Sequence, residues 1–433
     1  MRVFVFFVFA AALILLPKPL LAQSVFTDEA QRIYQAHGGA VYQVQVIDQA
    51  SGRKAGIGSA FQMTASGHLA TNYHVVAEAL AKPAANKLEY LHENGTRGAA
   101  RILAADVVND LAILSMEKPG PVFVALGTSD LRKGTRLFSL GNPHDIGFTI
   151  VEGIYNGPAS EGFTDKIHFS GAINPGMSGG PALGYDGRVA GINVMTGGNQ
   201  IGFLVPVEAL KNLSAMISKN AATDDFVLRA SALLQEQLVA YQNKNIGSLL
   251  ESAARWEQQS FGPVRVPGRI HPAFKCWGAA QHRDKDPFTH FFSVCDNQEE
   301  LYLGDDFETG VIQYRYDLIT AKDDLYAARF ASYYEDRYLS AAGGYNAGED
   351  HVTNFSCHDD FISTGDLRWK TSFCARRYKR FPDLHDAHLY MALVNAEKQG
   401  VIITLSAEGV TRENALSLTG AFLSSVRPQG DAP

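Results

Sequence analysis

Short apolar runs broken by turn residues dominate the first half of the chain. Between residues 23 and 215, such runs recur at 40–47, 100–104, 111–115, 136–140 and 189–194, with glycine, asparagine and proline between them. Segments this short are typical of strands, since a helix usually needs about ten residues or more. We therefore expect a β-sandwich or β-barrel here, preceded by a short helix at 27–37.

The pattern changes after residue 215. Between 221 and 258, apolar residues recur at three- and four-residue steps, which is typical of an amphipathic helix. The polar stretch at 243–247, which ends in glycine, predicts a split into two helices. We interpret residues 216–261 as a helical connector that packs between domains.

Residues 262–433 form a third part that holds all four cysteines and many aromatics. Strand-like runs occur at 291–295, 310–316 and 401–406, and Gln399-Gly400 resembles a turn between two strands. A final helix is predicted to begin after Thr411, a favourable N-cap. The expected fold of this part is an antiparallel α+β domain.

Length and charge exclude several classes of protein. A chain of 433 residues accommodates two or three domains. Its 46% hydrophobic and 19% charged residues do not fit a disordered chain. The net charge of −7 leaves no basic surplus for phosphate, so a general nucleic-acid binder is disfavoured.

The first residues indicate export. Met1-Arg2 precedes an unbroken apolar run from residue 3 to residue 16, which suits a secretory signal and is too short to span a bilayer. Pro17 ends the run, and Leu20-Leu21-Ala22 offers a small residue at a cleavage point. We expect residues 1–22 to be a signal peptide, the mature protein to be secreted or periplasmic, and stable membrane insertion to be absent.

Three motifs in the first half carry the residues of nucleophilic catalysis. His74 follows an apolar run, Asp110 precedes one, and Ser178 lies in the glycine-rich sequence Gly176-Met-Ser-Gly-Gly-Pro181. A serine hydroxyl attacks only when a base removes its proton and hydrogen-bond donors await the oxyanion. Each motif alone is weak, but the order His, Asp, Ser with these flanks predicts a catalytic triad.

The same serine motif also fits the nucleophile elbow of α/β-hydrolases, Gly-x-Ser-x-Gly. That elbow requires a helix directly after the serine and the chain order Ser, Asp, His. Here Gly179-Gly180-Pro181 follows, then a turn at 185–187 and an apolar run at 189–194. The elbow interpretation is therefore disfavoured.

These motifs resemble the trypsin-like protease domain of the HtrA (high-temperature-requirement) family. The resemblance covers about residues 30–212, and seven stretches follow the family order. They are Gly58-Ser-Ala-Phe61, Thr71-Asn-Tyr-His74-Val-Val, Asp110-Leu-Ala-Ile-Leu114, Gly141-Asn-Pro143, Ala172-Ile-Asn-Pro-Gly-Met-Ser-Gly-Gly-Pro181, Gly191-Ile-Asn193 and Gly202-Phe-Leu-Val-Pro206.

The resemblance implies two six-stranded β-barrels with the triad in the cleft between them. His74 would be the general base and then the general acid, Asp110 would orient the imidazole, and Ser178 would be the nucleophile. The backbone N–H groups of Gly176 and Ser178 would form the oxyanion hole.

The chain departs from the family at two points. Met177 stands beside the oxyanion loop where the family usually has asparagine, which could alter how readily the hole forms. No carboxylate-binding loop of a PDZ domain follows residue 215, so the peptide sensing and cage assembly of the family are not carried over.

Substrate preference is predicted by analogy with the family. Ala172, six residues before the serine, would lie at the floor of the S1 pocket, with Ile173, Met195 and Ile201 on its walls. Without an acid at the floor, cleavage after lysine or arginine is disfavoured and small or aliphatic P1 residues are expected. The alternative is that these four are ordinary core residues.

The third part offers no motif with an assigned chemistry. Cys276, Cys295, Cys357 and Cys374 allow three pairings, and pairing of sequence neighbours is the simplest in an exported chain. His351, His358, His385 and His388 show no zinc-ligand spacing, so we expect surface histidines and no metal site.

The sequence thus predicts an exported serine endopeptidase that acts on unfolded or extended proteins and peptides, without a cofactor and without nucleic acid as a partner. The alternative is a catalytically silent binding or scaffold protein that keeps the trypsin fold. The oligomeric state is left open.

Overall fold

The computed structural model describes residues 25–430 apart from 160–161, 199, 220–225, 282–286, 323–324, 342–346 and 395–397. The predicted signal at 1–22 lies outside the described residues. Mainly β structure is found, as the sequence predicted.

The first of two closed barrels follows helix α1 (Val25–His37), in the region of the helix expected at 27–37. Its strands run in the spatial order β1-β2-β3-β6-β5-β4, all antiparallel, with helix α2 (Tyr73–Ala81) inserted between β3 and β4. The strands are β1 (Val41–Asp48), β2 (Lys54–Gln62), β3 (His68–Thr71), β4 (Asn86–His92), β5 (Arg97–Asp106) and β6 (Leu111–Met116).

The second barrel has the same number of strands, in the order β10-β11-β12-β9-β8-β7. Helix α3 (Val207–Lys219) follows it. Its strands are β7 (Arg136–Gly141), β8 (Thr149–Pro158), β9 (Ile167–Phe169), β10 (Pro181–Leu183), β11 (Val189–Gly198) and β12 (Ile201–Pro206). The expected pair of six-stranded barrels is confirmed, and closure leaves neither barrel with a free strand edge.

A single long helix, α4 (Phe226–Glu251), follows the barrels. Phe226, Ala230, Leu234 and Leu238 pack with the first barrel, whereas Ile246 and Leu249 belong to the next core. The predicted break at 243–247 is wrong. A helical glycine costs only about 1 kcal/mol relative to alanine, and burial of Ile246 and Leu249 on either side of Gly247 outweighs that cost.

A seven-stranded antiparallel sheet, here called the C-terminal sheet, forms most of the remaining chain. Its strand order is β15-β16-β19-β23-β22-β21-β20. Its strands are β15 (Lys275–Gln281), β16 (Phe288–Asp296), β19 (Ile312–Ala321), β20 (Ser356–Thr364), β21 (Leu367–Arg377), β22 (His385–Leu393) and β23 (Gln399–Val410).

Smaller elements surround the C-terminal sheet. Helices α5 (Ala327–Leu339) and α6 (Arg412–Ser425) pack on it, and the Thr411 hydroxyl caps α6 by accepting from the Asn414 N–H, as predicted. The turn expected at 399–400 is wrong, because both residues belong to β23 and pair with β19. The remaining strands are β13 (Gln258–Phe261), β14 (Val264–Pro267), β17 (Leu301–Gly304), β18 (Phe307–Thr309) and β24 (Arg427–Pro428).

Two disulfides fasten the edges of the C-terminal sheet. Cys276 of the edge strand β15 is bonded to Cys295 of β16, and Cys357 of the edge strand β20 to Cys374 of β21. Neighbours in sequence are therefore paired. The two bonds close loops of 19 and 17 residues. Each stabilises the folded state by about 3 kcal/mol, because the cross-link lowers the conformational entropy of the unfolded chain.

Across the described ranges, no helix has both the length and the apolar character that a bilayer crossing requires.

Candidate active site

His74 lies in the first turn of α2, directly after the buried strand β3. The backbone N–H groups at the start of a helix lack partners within the helix. The N–H of His74 donates to Asp110 Oδ1 at 2.8 Å, and the ring Nδ1 lies 2.6 Å from Asp110 Oδ2. Because a carboxylate only accepts, Nδ1 carries the proton of this bond and Nε2 of the neutral ring is left as an acceptor.

Asp110 lies in the tight turn between β5 and β6. Its φ of 53° is in the left-handed region, which aspartate tolerates better than most residues. Asp106 shapes the turn, because its carboxylate accepts from the N–H groups of Val108 (3.1 Å) and Asn109 (2.9 Å). Asp106, the last residue of β5, therefore stabilises the turn, and Asp110 is the acid in contact with His74.

Two opposing effects set the pKa of His74. Burial lowers it by disfavouring the charged ring. The negative charge of Asp110 and its hydrogen bond favour the charged ring, and together they outweigh burial. The pKa of His74 is consequently raised above the ordinary 6.5.

Ser178 lies in the loop between β9 and β10 of the second barrel. Its hydroxyl donates to the carbonyl oxygen of Val194 at 3.2 Å. In the described part of the chain it makes no hydrogen bond to His74. Transfer of the Ser178 proton to His74 would require the hydroxyl to turn away from the Val194 carbonyl.

Glycines allow the serine loop to lie close to both barrels. Gly176 has a φ of 94°, and a Cβ there would lie 2.5 Å from the carbonyl oxygen of Asn142. Gly179 has a φ of 86°, and a Cβ there would lie 2.2 Å from the carbonyl oxygen of Ser59. Neither space nor backbone angle admits another residue at these two positions.

The oxyanion loop holds two free donors. The carbonyl of Pro175 accepts from the N–H of His144 at 2.8 Å, which fixes the orientation of the Pro175–Gly176 peptide. Among the hydrogen bonds of the described residues, the N–H groups of Gly176 and Ser178 have no acceptor. The sequence expected an oxyanion hole from these two groups, and that role stays a prediction.

Ser59 of the first barrel supports this loop and was missed by sequence reasoning. It is fully buried, and its N–H donates to the carbonyl of Ser178 at 2.8 Å while its hydroxyl donates to the carbonyl of Gly176 at 2.6 Å. The motif Gly58-Ser-Ala-Phe61 contained it, but nothing in that motif assigned it a contact with the nucleophile loop.

The side chain of Asn193 also supports the serine loop. It is fully buried, and its Nδ2 donates to the carbonyls of Leu140 (3.1 Å) and Met177 (3.2 Å). Its Oδ1 accepts from the hydroxyl of Ser139 at 2.8 Å. All the hydrogen-bonding groups of this amide have partners, so it holds the floor of the serine loop in one conformation.

Met177 takes no part in the cleft. Its side chain is fully buried and belongs to the core of the second barrel with Leu137 and Phe169. The departure from asparagine at this position therefore places an apolar side chain in the barrel core, and its N–H donates to the carbonyl of Asn174 at 2.9 Å.

The four residues expected at the S1 pocket lie in different environments. Ala172 and Ile201 are exposed, whereas Ile173 is buried in the core of the second barrel. The side chain of Met195 lies outside the described residues. The assignment of these residues to an S1 pocket stays a prediction.

A cavity of about 200 Å³ lies beside His74, and a strand hairpin of the third part forms one of its walls. Tyr302 of β17 places its ring edge-on to the ring of His74, with centroids 5.9 Å apart. Asp110 and Val194 also line this cavity. No sequence signal pointed to Tyr302, because it comes from a region without a motif.

Across the described ranges, no group of three or more histidine, cysteine, aspartate or glutamate side chains could hold a metal ion. The expectation of surface histidines is wrong for His388, which is 1% exposed and whose Nδ1 lies 2.8 Å from the Ser406 hydroxyl.

Residues 58–192 match the family model of the trypsin-like peptidase domain. The probable periplasmic serine endoprotease DegP-like of Chlamydia muridarum is 31% identical over 182 residues, which is 39% of this chain and 35% of that protein. Protease Do-like 5, chloroplastic, of Arabidopsis thaliana is 34% identical over 166 residues, 35% of this chain and 51% of that protein. The solved structure of Deg5 is 27% identical and covers 45% of this chain, with a TM-score of 0.39.

These matches lie in the first half of the chain. The chain spans about a third to a half of the length of the two curated relatives. Residues of the C-terminal sheet lie beyond the 58–192 match.

Proposed function

We propose that the HtrA-like, trypsin-type serine protease domain in the first half of the chain is an active endopeptidase with His74, Asp110 and Ser178 as its triad. The observation that carries this proposal is the double contact between Asp110 and His74, to the backbone N–H at 2.8 Å and to the ring Nδ1 at 2.6 Å. This contact presets the tautomer in which Nε2 accepts a proton.

The reaction would begin when the Ser178 hydroxyl leaves the Val194 carbonyl and turns to His74. Nε2 takes the proton as Oγ attacks the scissile carbonyl carbon, and the carbonyl oxygen becomes an oxyanion. The free N–H groups of Gly176 and Ser178 stabilise that charge. The charge of Asp110 stabilises the imidazolium that forms at the same time.

Collapse of this intermediate breaks the peptide bond. The imidazolium donates its proton to the leaving amine, and the acyl group stays on Ser178. Water then attacks the acyl carbon while His74 Nε2 takes one of its protons, and a second oxyanion forms. Its collapse breaks the bond to Ser178 Oγ, the imidazolium returns the proton to that oxygen, and the carboxylate product leaves. No metal or cofactor contributes to a step.

Substrate preference and location are proposed from the sequence. Ala172 supplies no negative charge at the expected S1 floor, so we expect cleavage after small or aliphatic residues of unfolded or extended chains. The predicted signal at 1–22 and the periplasmic name of the Chlamydia muridarum relative support an exported, periplasmic or secreted protease.

A catalytically silent binding or scaffold protein is the second candidate. The hydrogen bond from the Ser178 hydroxyl to Val194, in place of one to His74, favours it. In that case the cleft would hold extended peptides without cutting them.

Degradation of unfolded casein by the purified mature chain separates the two candidates. We expect the wild type and Ser424→Ala, an exposed serine on α6, to degrade casein at the same rate, and Ser178→Ala to be inactive. Equal activity of Ser178→Ala would refute the assignment of the nucleophile. Absence of cleavage by a folded wild type that still binds casein would support the silent protein.

A further inference from the structure

The hairpin formed by β17 and β18, here called the cleft hairpin, is built into the first barrel. Leu301, Leu303 and Phe307 are 2–4% exposed and belong to the same hydrophobic core as the first barrel, α2 and the first half of α4. Burial of apolar side chains in one shared core makes this attachment part of the fold and not a loose surface contact.

Tyr302 projects from the cleft hairpin to the catalytic histidine. The two rings stand at 71° with centroids 5.9 Å apart, an edge-to-face arrangement. The Tyr302 hydroxyl donates to Asp305 Oδ1 at 2.6 Å, and the N–H of Asp305 lies 3.4 Å from Glu78 Oε1 on α2. The ring is therefore fixed against the helix that carries His74.

Glu299, just before the cleft hairpin, joins the third part to the second barrel by hydrogen bonds. It is 3% exposed, and its Oε1 accepts from the N–H groups of Phe163 (2.8 Å) and Thr164 (3.1 Å). Its Oε2 accepts from the Thr164 hydroxyl at 2.8 Å. The third part thus contacts both barrels, and Thr164 and Tyr302 both line the cavity at His74.

The cavity of about 200 Å³ at His74 is rich in carboxylates. Tyr302 and Leu301 line it from the cleft hairpin, and Val107 lines it from the turn that ends at Asp110. Its charged lining residues outside the triad are Asp165, Lys166, Glu300 and Glu308. Burial and the charge of Glu300 raise the pKa of Glu308, as expected for two carboxyl groups that lie close together.

We propose that Tyr302 determines specificity: it walls the pocket that receives a substrate side chain next to the scissile bond, and limits that side chain to medium size. Glu300 and Glu308 would exclude an acidic side chain from the same pocket. This inference rests on the proposed function, because it assigns a substrate subsite to the cavity at His74. It also gives the third part a role in the reaction, since without the cleft hairpin the cavity would be open on that side.

A peptide library tests the inference. Internally quenched peptides are varied at each position around a fixed scissile bond and cleaved by full-length wild type, Tyr302→Ala, Tyr302→Phe and Glu300→Gln/Glu308→Gln. Asp366→Asn, an exposed carboxylate in the turn before the remote strand β21, is the control. We expect Tyr302→Ala to raise the relative kcat/KM for phenylalanine or tryptophan at one position about ten-fold or more.

The other variants distinguish size from charge. Tyr302→Phe keeps the ring and is expected to keep the wild-type profile. The double glutamine variant is expected to accept aspartate or glutamate at that same position about ten-fold better. If Tyr302→Ala does not fold, this variant alone tests whether the cavity is the substrate pocket. Profiles that stay within two-fold of wild type at every position in both variants would overturn the inference while leaving the protease intact. A folded wild type that neither cleaves the library nor reacts at Ser178 would overturn both proposals.

Discussion

The hydroxyl of Ser59, on a strand of the first barrel, donates to the carbonyl of Gly176 in the oxyanion loop of the second barrel at 2.6 Å. The same hydroxyl accepts from the N–H of Asn142 at 2.9 Å. One buried side chain therefore joins the two barrels directly behind the loop that carries the proposed nucleophile. Its replacement tests whether the oxyanion loop depends on support from the first barrel.

Ser59→Ala is expected to lower kcat about ten-fold or more and to change KM little. The substitution leaves the Gly176 carbonyl and the Asn142 N–H without their partner, so the loop loses the orientation that serves the transition state. Steady-state kinetics on a quenched peptide measure kcat and KM separately, and Ser66→Ala in an exposed turn is the control. An equal rise in KM with unchanged kcat would show that Ser59 supports substrate binding instead.

Asp110→Asn is expected to lower kcat about 10³–10⁴-fold and to move the acid limb of the pH profile. In the wild type, His74 must be neutral to act as base, and its raised pKa places this limb above pH 6.5. Without the Asp110 charge, burial lowers the pKa and the limb moves below pH 6.5. The pH dependence of kcat/KM, measured for the wild type and for the variant, gives the position of the acid limb in each protein. A limb that stays in place would contradict the pairing.

The same ion pair has a consequence for stability. Because the folded-state pKa of His74 is raised, its contribution is fully present below pH 6.5 and is lost as the pH rises through that raised pKa. Urea unfolding of wild type and Asp110→Asn at pH 6 and at pH 9 is expected to show a smaller difference at pH 9.

Glu299→Ala is expected to lower the free energy of unfolding by about 2–4 kcal/mol. It removes the acceptor of three hydrogen bonds and leaves the partly buried N–H groups of Phe163 and Thr164 without this partner. Glu299→Gln keeps one acceptor oxygen and should cost less. Urea unfolding measures the stability of both variants, and equal stability of all three proteins would show that the hydrogen bonds of Glu299 do not stabilise the fold.

His388 is expected to make the protein sensitive to acid. Burial, together with the positive charge of Arg376, lowers its pKa to about 3. Between pH 3 and 6.5 the unfolded chain binds a proton that the folded chain does not, so stability falls as the pH drops through this window. At pH 4.5 the cost is about 2–3 kcal/mol relative to pH 7.

Comparison of His388→Asn with the wild type isolates this effect. The variant is expected to lose less stability than the wild type between pH 7 and pH 4.5 in urea titrations. His358→Asn, at an exposed position, is the control and should keep the wild-type pH dependence. The same pH dependence in His388→Asn as in the wild type would refute the buried neutral ring.

The strands and turns of the first half were predictable because local sequence carries them, whereas their closure into two barrels and the pairing of His74 with Asp110 were expected from the resemblance to the HtrA family. Short apolar runs with glycine and asparagine between them encode strands and tight turns, and the motif around His74 ends a strand and begins a helix. The cap of α6 at Thr411 was equally local, because it depends on a hydroxyl and an N–H three residues apart.

Features that depend on packing between distant segments were not predictable. The helix α4 continues through Gly247 because Ile246 and Leu249 are buried against the C-terminal sheet. No local sequence pattern predicts that burial. Gln399 and Gly400 extend a strand because β19 offers hydrogen-bond partners. Tyr302 reaches His74 only after the third part has folded onto the first barrel, and single-sequence patterns do not encode that contact.

Covalent labelling at Ser178 tests the central claim most directly. The full mature chain is treated with a serine-reactive fluorophosphonate, and the modified residue is identified by peptide mapping in the mass spectrometer. We predict a single adduct on Ser178 in the wild type, none in Ser178→Ala, and a rate reduced by at least about 10³-fold in Asp110→Asn. A folded wild type without an adduct on Ser178, or an Asp110→Asn variant that labels at the wild-type rate, would contradict the triad proposed here.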